Sequence, residues 1–420
     1  MDYLPRCLDA ELARLLRGLP AVSVEGAKGV GKSATAARQA VEVLALDQPR
    51  VQQTVAADPD LILTLPCPLV IDEWQLVPPV WDVVRRAVDR LRTPGQFVLT
   101  GSALPPREAR IHSGAGRIVK LFMRPLSLSE RAMEQPTVSL ASLAAGERPP
   151  IQGRTRFRLA DYTEEIVASG FPGIRQDPPD VRGDMIGSYI EEMLERDVPE
   201  LGGVRRPQAL RSWLAAYAAA TATTSAYTTI LNSATAGDSD KPARATADAY
   251  RELLTRIWIL EPLPAWVPAF NPLSRLAQAP KHHLADPALS ARLLGATSAS
   301  LLRGDGQTLT EGSLLAALFE SLAVLSVRAL SASFQGRVSH LRTRNGDHEI
   351  DIIVERADHK VLALEVKLGA VVAPTDSKHL RWLESEIGDS LVDKVILNTG
   401  EFAYRDSHGT AIVPLALLGP

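Results

Sequence analysis

In the first third of the chain, short apolar runs alternate with stretches of helical spacing. Ala21-Val22-Ser23-Val24-Glu25 reads as a strand, Ser33 to Ala40 as an Ala-rich helix, and Val41 to Leu46 as a short strand ending at Asp47-Gln48-Pro49. Pro68-Leu69-Val70-Ile71 and Gln96-Phe97-Val98-Leu99-Thr100 carry the continuous apolar signature of buried strands. Strands alternating with helices predict a parallel α/β sheet.

From about Tyr162 the pattern turns helical. Ile186 to Val198 alternates apolar and charged residues at helical spacing up to Pro199, and Pro242 to Ile257 does the same after the turn Gly237-Asp238-Ser239-Asp240. The last part opens on an apolar helix, Ser313 to Leu330, followed by strands at Leu341 to Arg344, Glu349 to Glu355 and Val361 to Leu368. Asn345-Gly346 between the first two strands signals a hairpin.

Composition narrows the class. A chain of 420 residues, 45% hydrophobic and 23% charged, is an ordinary soluble protein of two or three domains. With 46 Lys+Arg against 49 Asp+Glu, the net charge of −3 gives no global pull toward nucleic acid, so any such contact needs a local basic face. Cys7 and Cys67 make neither a disulfide framework nor a zinc site, which fits a reducing compartment. The first residues lack the basic-then-apolar order of a signal peptide, and the uncharged stretch Ser212 to Gly237 is too rich in Ala, Thr and Ser to span a bilayer. The expectation is a cytoplasmic protein without membrane association.

The strongest chemical signal is Gly26-Ala27-Lys28-Gly29-Val30-Gly31-Lys32-Ser33. Its glycines let successive backbone N–H groups face phosphate oxygens. Lys32 would reach the β- and γ-phosphates, and the Ser33 hydroxyl would ligate Mg²⁺. The helix that follows adds its positive dipole end. Asp72 and Glu73 close a hydrophobic strand, the place for a carboxylate on Mg²⁺ and a second carboxylate that orients or deprotonates the attacking water. Thr100 or Ser102, at the tip of the next strand, would sense the γ-phosphate or simply end the strand.

These residues resemble a large family of prokaryotic AAA-type ATPases that carry a C-terminal domain of unknown function. The likeness extends through Ile71-Asp72-Glu73-Trp74-Gln75, Leu99-Thr100-Gly101-Ser102, Gly116-Arg117, Arg124-Pro125-Leu126-Ser127-Leu128-Ser129-Glu130, Gly170-Phe171-Pro172-Gly173, Tyr189-Ile190-Glu191, Glu195-Arg196-Asp197, Gly346 to Val354 and Leu364 to Lys367. Lys28 stands where an arginine is common in the family and Ser33 where a threonine is common. The resemblance implies ATP as the nucleotide, with Mg²⁺, and an arginine that completes the γ-phosphate site from a neighbouring subunit or domain. Arg117 is the candidate, with a surface arginine holding a loop as the plain alternative.

The resemblance also implies three parts: a P-loop AAA-type ATPase domain over 1–153, a helical, winged-helix-like domain over 154–305, and a small α/β domain over 306–420. In the last, Glu365 and Lys367 point to one face of a strand, with Asp351 on the strand beside them and Glu320 on the preceding helix. Carboxylates for a divalent metal and a lysine for the transition state are what metal-dependent phosphodiester cleavage needs. The arrangement resembles the PD-(D/E)xK fold of restriction endonucleases and Holliday-junction resolvases; a salt-bridged sheet edge would present the same residue types. Lys241, Arg244, Arg251 and Arg256 would face DNA from a recognition helix, though Asp248 and Glu252 share it. Arg342 and Arg344 are better placed for a phosphate backbone. Lys281-His282-His283, followed by Asp286, is a further basic group whose adjacent histidines would point apart. Two outputs stay open: a nucleic-acid-processing ATPase, or a regulatory ATPase whose C-terminal domain binds DNA, a protein or a further copy of itself without cutting.

Overall fold

The structure is a computed structural model describing residues 3–102, 114–201, 207–234, 244–266, 279–303, 314–343 and 346–420. The chain forms two compact units, residues 1–125 with 253–259, and residues 126–252 with 260–420. The boundary at Pro125 falls earlier than the expected one near 153. The segment after it is drawn into the second unit by short strand pairings at Val138–Ser139 and Gly153–Arg154.

The first unit is built on five parallel strands, β1 (Ala21–Glu25), β2 (Glu42–Ala45), β3 (Leu69–Asp72), β4 (Phe97–Gly101) and β5 (Val119–Phe122), in the order β2-β3-β4-β1-β5. β1 is buried along its whole length, as its run of small and branched residues requires. On one face, Leu69, Ile71, Phe97 and Leu99 pack with Val80, Val84 and the tilted ring pair Trp74–Trp81, centroids 4.6 Å apart. The parallel register sets Glu25 beside Gly101 and Ile71 beside Leu99. The carboxyl ends of β1, β3 and β4 therefore meet at one edge of the sheet. Sequence reasoning placed β1 to β4 within a residue or two of where they lie and did not name β5.

The second unit carries a seven-stranded sheet with β6 (Val138–Ser139) apart from it. The seven strands are β7 (Gly153–Arg154), β8 (Arg337–Arg342), β9 (Glu349–Glu355), β10 (Val361–Val366), β11 (Leu391–Asn398), β12 (Phe402–Arg405) and β13 (Ala411–Pro414), ordered β7-β12-β13-β11-β10-β9-β8. β8 and β9 form the expected antiparallel hairpin, with Gly346 at φ +74° in the turn; Arg344 and Asn345 lie outside the described residues. The helix Leu314–Ser331 is long and apolar enough to cross a membrane, and 78% of its apolar window is buried inside the unit. Its apolar surface is core.

The helical region behaves as its spacing suggested, with two differences. The helix Arg182–Glu192 continues through a π-turn, Met193–Asp197, into Val198–Glu200, so Pro199 sits in a following turn where the helix already departs from α geometry. The uncharged stretch from Ser212 holds two separate helices, Pro207–Ala219 and Tyr227–Ala234, each too short to span a bilayer. The expected turn at Gly237 and the start of the next helix, including Lys241, lie outside the described residues, which take it up at Arg244–Arg256.

Candidate functional site

At the shared edge of the first sheet, the chain leaves β1 through Gly26 to Gly31 and enters the helix Lys32–Ala37. The loop needs its glycines. A Cβ on Gly26 would lie 2.1 Å from the Met123 carbonyl oxygen, and Gly31 caps the helix at φ +98°. From the other side, Arg6 donates Nη1 to the Val30 carbonyl at 2.8 Å and Nη2 to the Arg124 carbonyl at 2.6 Å. Tyr3 adds a hydroxyl contact to Thr35 at 2.8 Å.

Lys32 is buried, its Nζ donating to the carbonyls of Gly26 at 3.0 Å and Ala27 at 2.9 Å. Burial lowers its pKa to about 8, against the pull of the Glu73 and Asp72 carboxylates. Ser33 Oγ donates to Asp72 Oδ1 at 2.7 Å, and the Thr100 hydroxyl donates to that same oxygen. Two oxygens this close, one from a carboxylate, are a donor set that suits a hard divalent cation, so Ser33 and Asp72 fit the implied Mg²⁺.

Glu73 stands in left-handed backbone, φ +54°, immediately after β3. Its Oε2 accepts from Ser102 Oγ at 2.8 Å and from the Gln75 side-chain amide. The carboxylate is thus aimed by two donors, as a water-orienting group requires. The sequence offered Ser102 as a γ-phosphate sensor or a strand end and gave Gln75 no role of its own; their contact with Glu73 depends on the β3–β4 register.

Arg117 sits elsewhere. It precedes β5, at the amino end of a strand parallel to β1, whereas the phosphate loop leaves the carboxyl end. Its Nε donates to Asp89 Oδ1 at 2.7 Å, near the end of the helix Pro79–Leu91. Within its own chain, Arg117 is on the far edge of the sheet from Lys32.

In the second unit, the structure brings Asp351, Glu365, Lys367 and Glu320 together around Lys281, which sequence reasoning named only as part of a separate basic group. Lys281, 1% exposed, donates from Nζ to Glu320 Oε1 at 2.9 Å, Glu349 Oε1 at 2.8 Å and Asp351 Oδ1 at 2.9 Å. Burial works against its charge, but Asp351, Glu320 and Glu349 overcome that and hold its pKa well above the ordinary value. Lys367 Nζ bonds Glu365 Oε2 at 3.0 Å, as two residues on one face of a strand should. Asp351 Oδ2 accepts from the Val366 N–H at 2.9 Å.

Burial raises Glu365 well above the carboxylate range, with Asp351 adding to it, and burial raises Glu320 to about 8 despite Lys281. The donor set implied for a metal does not fit one here, because a lysine ammonium is bonded to the oxygens that would ligate it. Among the described residues no group of three His, Cys, Asp or Glu is arranged to hold a metal ion. The Lys281-His282-His283 run gave no sequence signal of burial. His282 Nε2 meets the Ser225 carbonyl at 2.7 Å, His283 is buried, and Asp286 caps the helix Pro287–Leu293.

The basic helix is tied down. Arg251 lies 4.6 Å over the Tyr227 ring and pairs with Asp248 at 3.4 Å. Arg342 is half-exposed and donates to Thr224 Oγ1 at 2.7 Å.

A parallel sheet in this order, with a glycine-rich phosphate-loop motif after β1, Ser33 bonded to Asp72 and Glu73 beyond it, gives the first unit a P-loop arrangement. Residues 19–132 match the AAA domain family, residues 159–300 a domain of unknown function (DUF8612), and residues 315–418 another (DUF4143). Uncharacterized proteins from Mycobacterium tuberculosis and Mycobacterium bovis are each 27% identical over 414 residues, covering 96% of this chain and 82% of theirs. A Walker-type ATPase of Pyrococcus abyssi is 15% identical, covering 68% of this chain and 94% of that one, at a TM-score of 0.38.

Proposed function

We propose that the chain binds and hydrolyses ATP with Mg²⁺ at the edge of the first sheet. The observation that carries this reading is the convergence of Lys32, Ser33, Asp72, Glu73 and Thr100 on one point. The loop N–H groups cradle the phosphates, and Lys32 leaves its two loop carbonyls to meet the β- and γ-phosphate oxygens. Ser33 and Asp72 would hold Mg²⁺, which when bound would supply neutralisation of the phosphate charge. Glu73, held by Ser102 and Gln75, orients the water that attacks the γ-phosphorus and takes its proton. Thr100 fixes the Asp72 carboxylate and stands where a γ-phosphate would be felt.

The output of this turnover is a C-terminal unit that engages a partner, DNA or protein, without cutting it. The Lys281 ammonium among the carboxylates favours this over a nuclease. Arg342, half-exposed beside those strands, is the cation best placed for a phosphate or acidic partner. The helix Arg244–Arg256 serves as a packing element more than a recognition helix, since Arg251 is engaged by Tyr227 and Asp248.

The reading is tested by Mg²⁺-dependent release of phosphate from ATP, abolished in Lys32→Ala and in Glu73→Gln. Retention of turnover in both variants would remove it. Plasmid DNA incubated with Mg²⁺ or Mn²⁺ should stay intact; cutting lost in Asp351→Ala would restore the nuclease reading.

A further inference from the structure

We propose that Lys281 is a built-in cation filling the place a divalent metal would take in the C-terminal carboxylate cluster, and that the cluster becomes a divalent-metal site only when this ammonium is removed. A lysine ammonium has three N–H donors. Here each has a carboxylate oxygen at 2.8–2.9 Å, from Glu320, Glu349 and Asp351, and the side chain is closed off from water. Nothing on Nζ is left for solvent or substrate. The three acids come from a helix and from β9, so the ammonium ties together elements far apart in sequence, as a structural metal does.

A second observation points at the same centre. Glu365 is 2% exposed, and its Oε1 is buried with no hydrogen-bond partner, while Oε2 is held by Lys367. A buried oxygen without a donor is costly in an ordinary core. The Glu365 carboxyl is near enough to Asp351 and Lys281 to feel both charges. Two ammonium groups, Lys281 and Lys367, already sit on these carboxylates and repel a divalent ion, which would have to approach like charge in a medium of low dielectric.

The geometry argues the same way. The oxygens are spread for N–H···O contacts of 2.8–2.9 Å. Mg²⁺ needs roughly 2.0–2.1 Å and Ca²⁺ about 2.3–2.6 Å. With the ammonium gone, the repelling acids would need a cation and only modest closure around it. Mn²⁺ is therefore the better probe than Mg²⁺, which gives up its waters reluctantly.

The test is Mn²⁺ binding by equilibrium dialysis without nucleotide, in an Asp72→Asn background that silences the phosphate-loop site. It does not depend on ATP being hydrolysed, so its failure and that of the ATPase reading are separate results. The expected outcome is no Mn²⁺ at the cluster with Lys281 present, a gain of one Mn²⁺ per chain in Lys281→Ala, and loss of that gain when Asp351→Asn is added. Mn²⁺ held by the chain with Lys281 intact and released by Asp351→Asn would overturn the proposal. So would a folded Lys281→Ala chain that takes up none. Should Lys281→Ala fail to fold, Lys281→Met keeps the length of the side chain. Mn²⁺ should then raise its Tm by several degrees and leave that of the Lys281 chain unmoved; equal responses would overturn the idea.

Discussion

Ser33 Oγ donates to Asp72 Oδ1 at 2.7 Å, which ties the glycine-rich loop after β1 to the carboxyl end of β3. The bond spans 39 positions of sequence and rests on the parallel β3–β4–β1 register. Asp72→Asn keeps the shape and removes the charge. Turnover should fall by about 10²-fold or more, since an amide neither attracts Mg²⁺ nor holds it against competing water. Raising Mg²⁺ should recover part of the loss in a Mg²⁺ titration of phosphate release. A response unchanged from the unsubstituted chain would detach Asp72 from the metal.

Glu73 makes a cleaner distinction between binding and chemistry. Its backbone lies at φ +54°, and Ser102 and Gln75 hold its carboxylate. Glu73→Gln should lower kcat by roughly 10²–10⁴-fold and leave ATP affinity within a few-fold, because general-base assistance acts only in the transition state. Ser102→Ala should give a smaller drop in kcat with the same affinity. A rise in the ATP dissociation constant matching the loss of rate would instead place Glu73 in ground-state binding.

Gly26 tests the loop's shape. The Met123 carbonyl oxygen approaches within 2.1 Å of where a Cβ would stand, and backbone cannot swing aside as a side-chain tip can. Gly26→Ala should weaken ATP binding by more than tenfold and lower the Tm of the unit by several degrees, at about 1–3 kcal/mol for an overpacked site. Nucleotide titration followed by a melt with and without ATP reads both quantities.

The buried histidine near the second unit's cluster sets a pH dependence. Burial lowers His340 to about 4, with Lys281 adding to the effect. The unfolded chain, at about 6.5, binds the proton more readily than the folded one. Stability is therefore fully present above pH 6.5 and is lost as pH falls toward 4, amounting to about 3 kcal/mol for this one group. Glu165 works in the same direction: burial raises it, but Arg131 and Arg175 outweigh burial and hold it below the usual range, so its contribution also fades in acid. Glu320 and Glu365, raised by burial, act in the opposite direction, so the group is isolated by difference: urea melts at pH 7.5, 6 and 5 should show ΔG falling less, or rising more, toward acid in His340→Asn than in the unsubstituted chain.

How much of this was legible follows from where each signal lives. The strands of the first unit and the phosphate loop are local patterns: apolar runs for two-sided burial, and glycines for a loop that curls. Asp72 and Glu73 drew notice because they end a buried strand forty positions after Lys32, whereas two acids at a strand end are by themselves usually solvated loop residues. That Ser102 and Gln75 would hold the Glu73 carboxylate was not readable, since those contacts arise from register. In the second unit, Asp351, Glu365 and Lys367 announced themselves by strand spacing, whereas Lys281 sits 70 positions before Asp351 in a basic run that reads as surface. Only the tertiary fold turns that lysine inward, and it changes the chemistry the acids can do.

Arg117 is the last case, and it depends on topology alone. Parallel strands put their starts at one edge and their ends at the other. Arg117 lies just before β5, and the phosphate loop lies just after β1. The spacing between those edges is the length of a strand of about five residues, roughly 16 Å, longer than an arginine can bridge. Its guanidinium is already engaged by Asp89 at 2.7 Å. Arg117→Ala should therefore leave turnover per chain within about twofold at nanomolar concentration, where chains act singly. If Arg117 instead completes a neighbour's site, turnover of the unsubstituted chain should rise with concentration, and that rise should vanish in the variant. Phosphate release measured across a thousandfold range of chain concentration separates the two, because only a group supplied in trans makes the rate per chain depend on concentration.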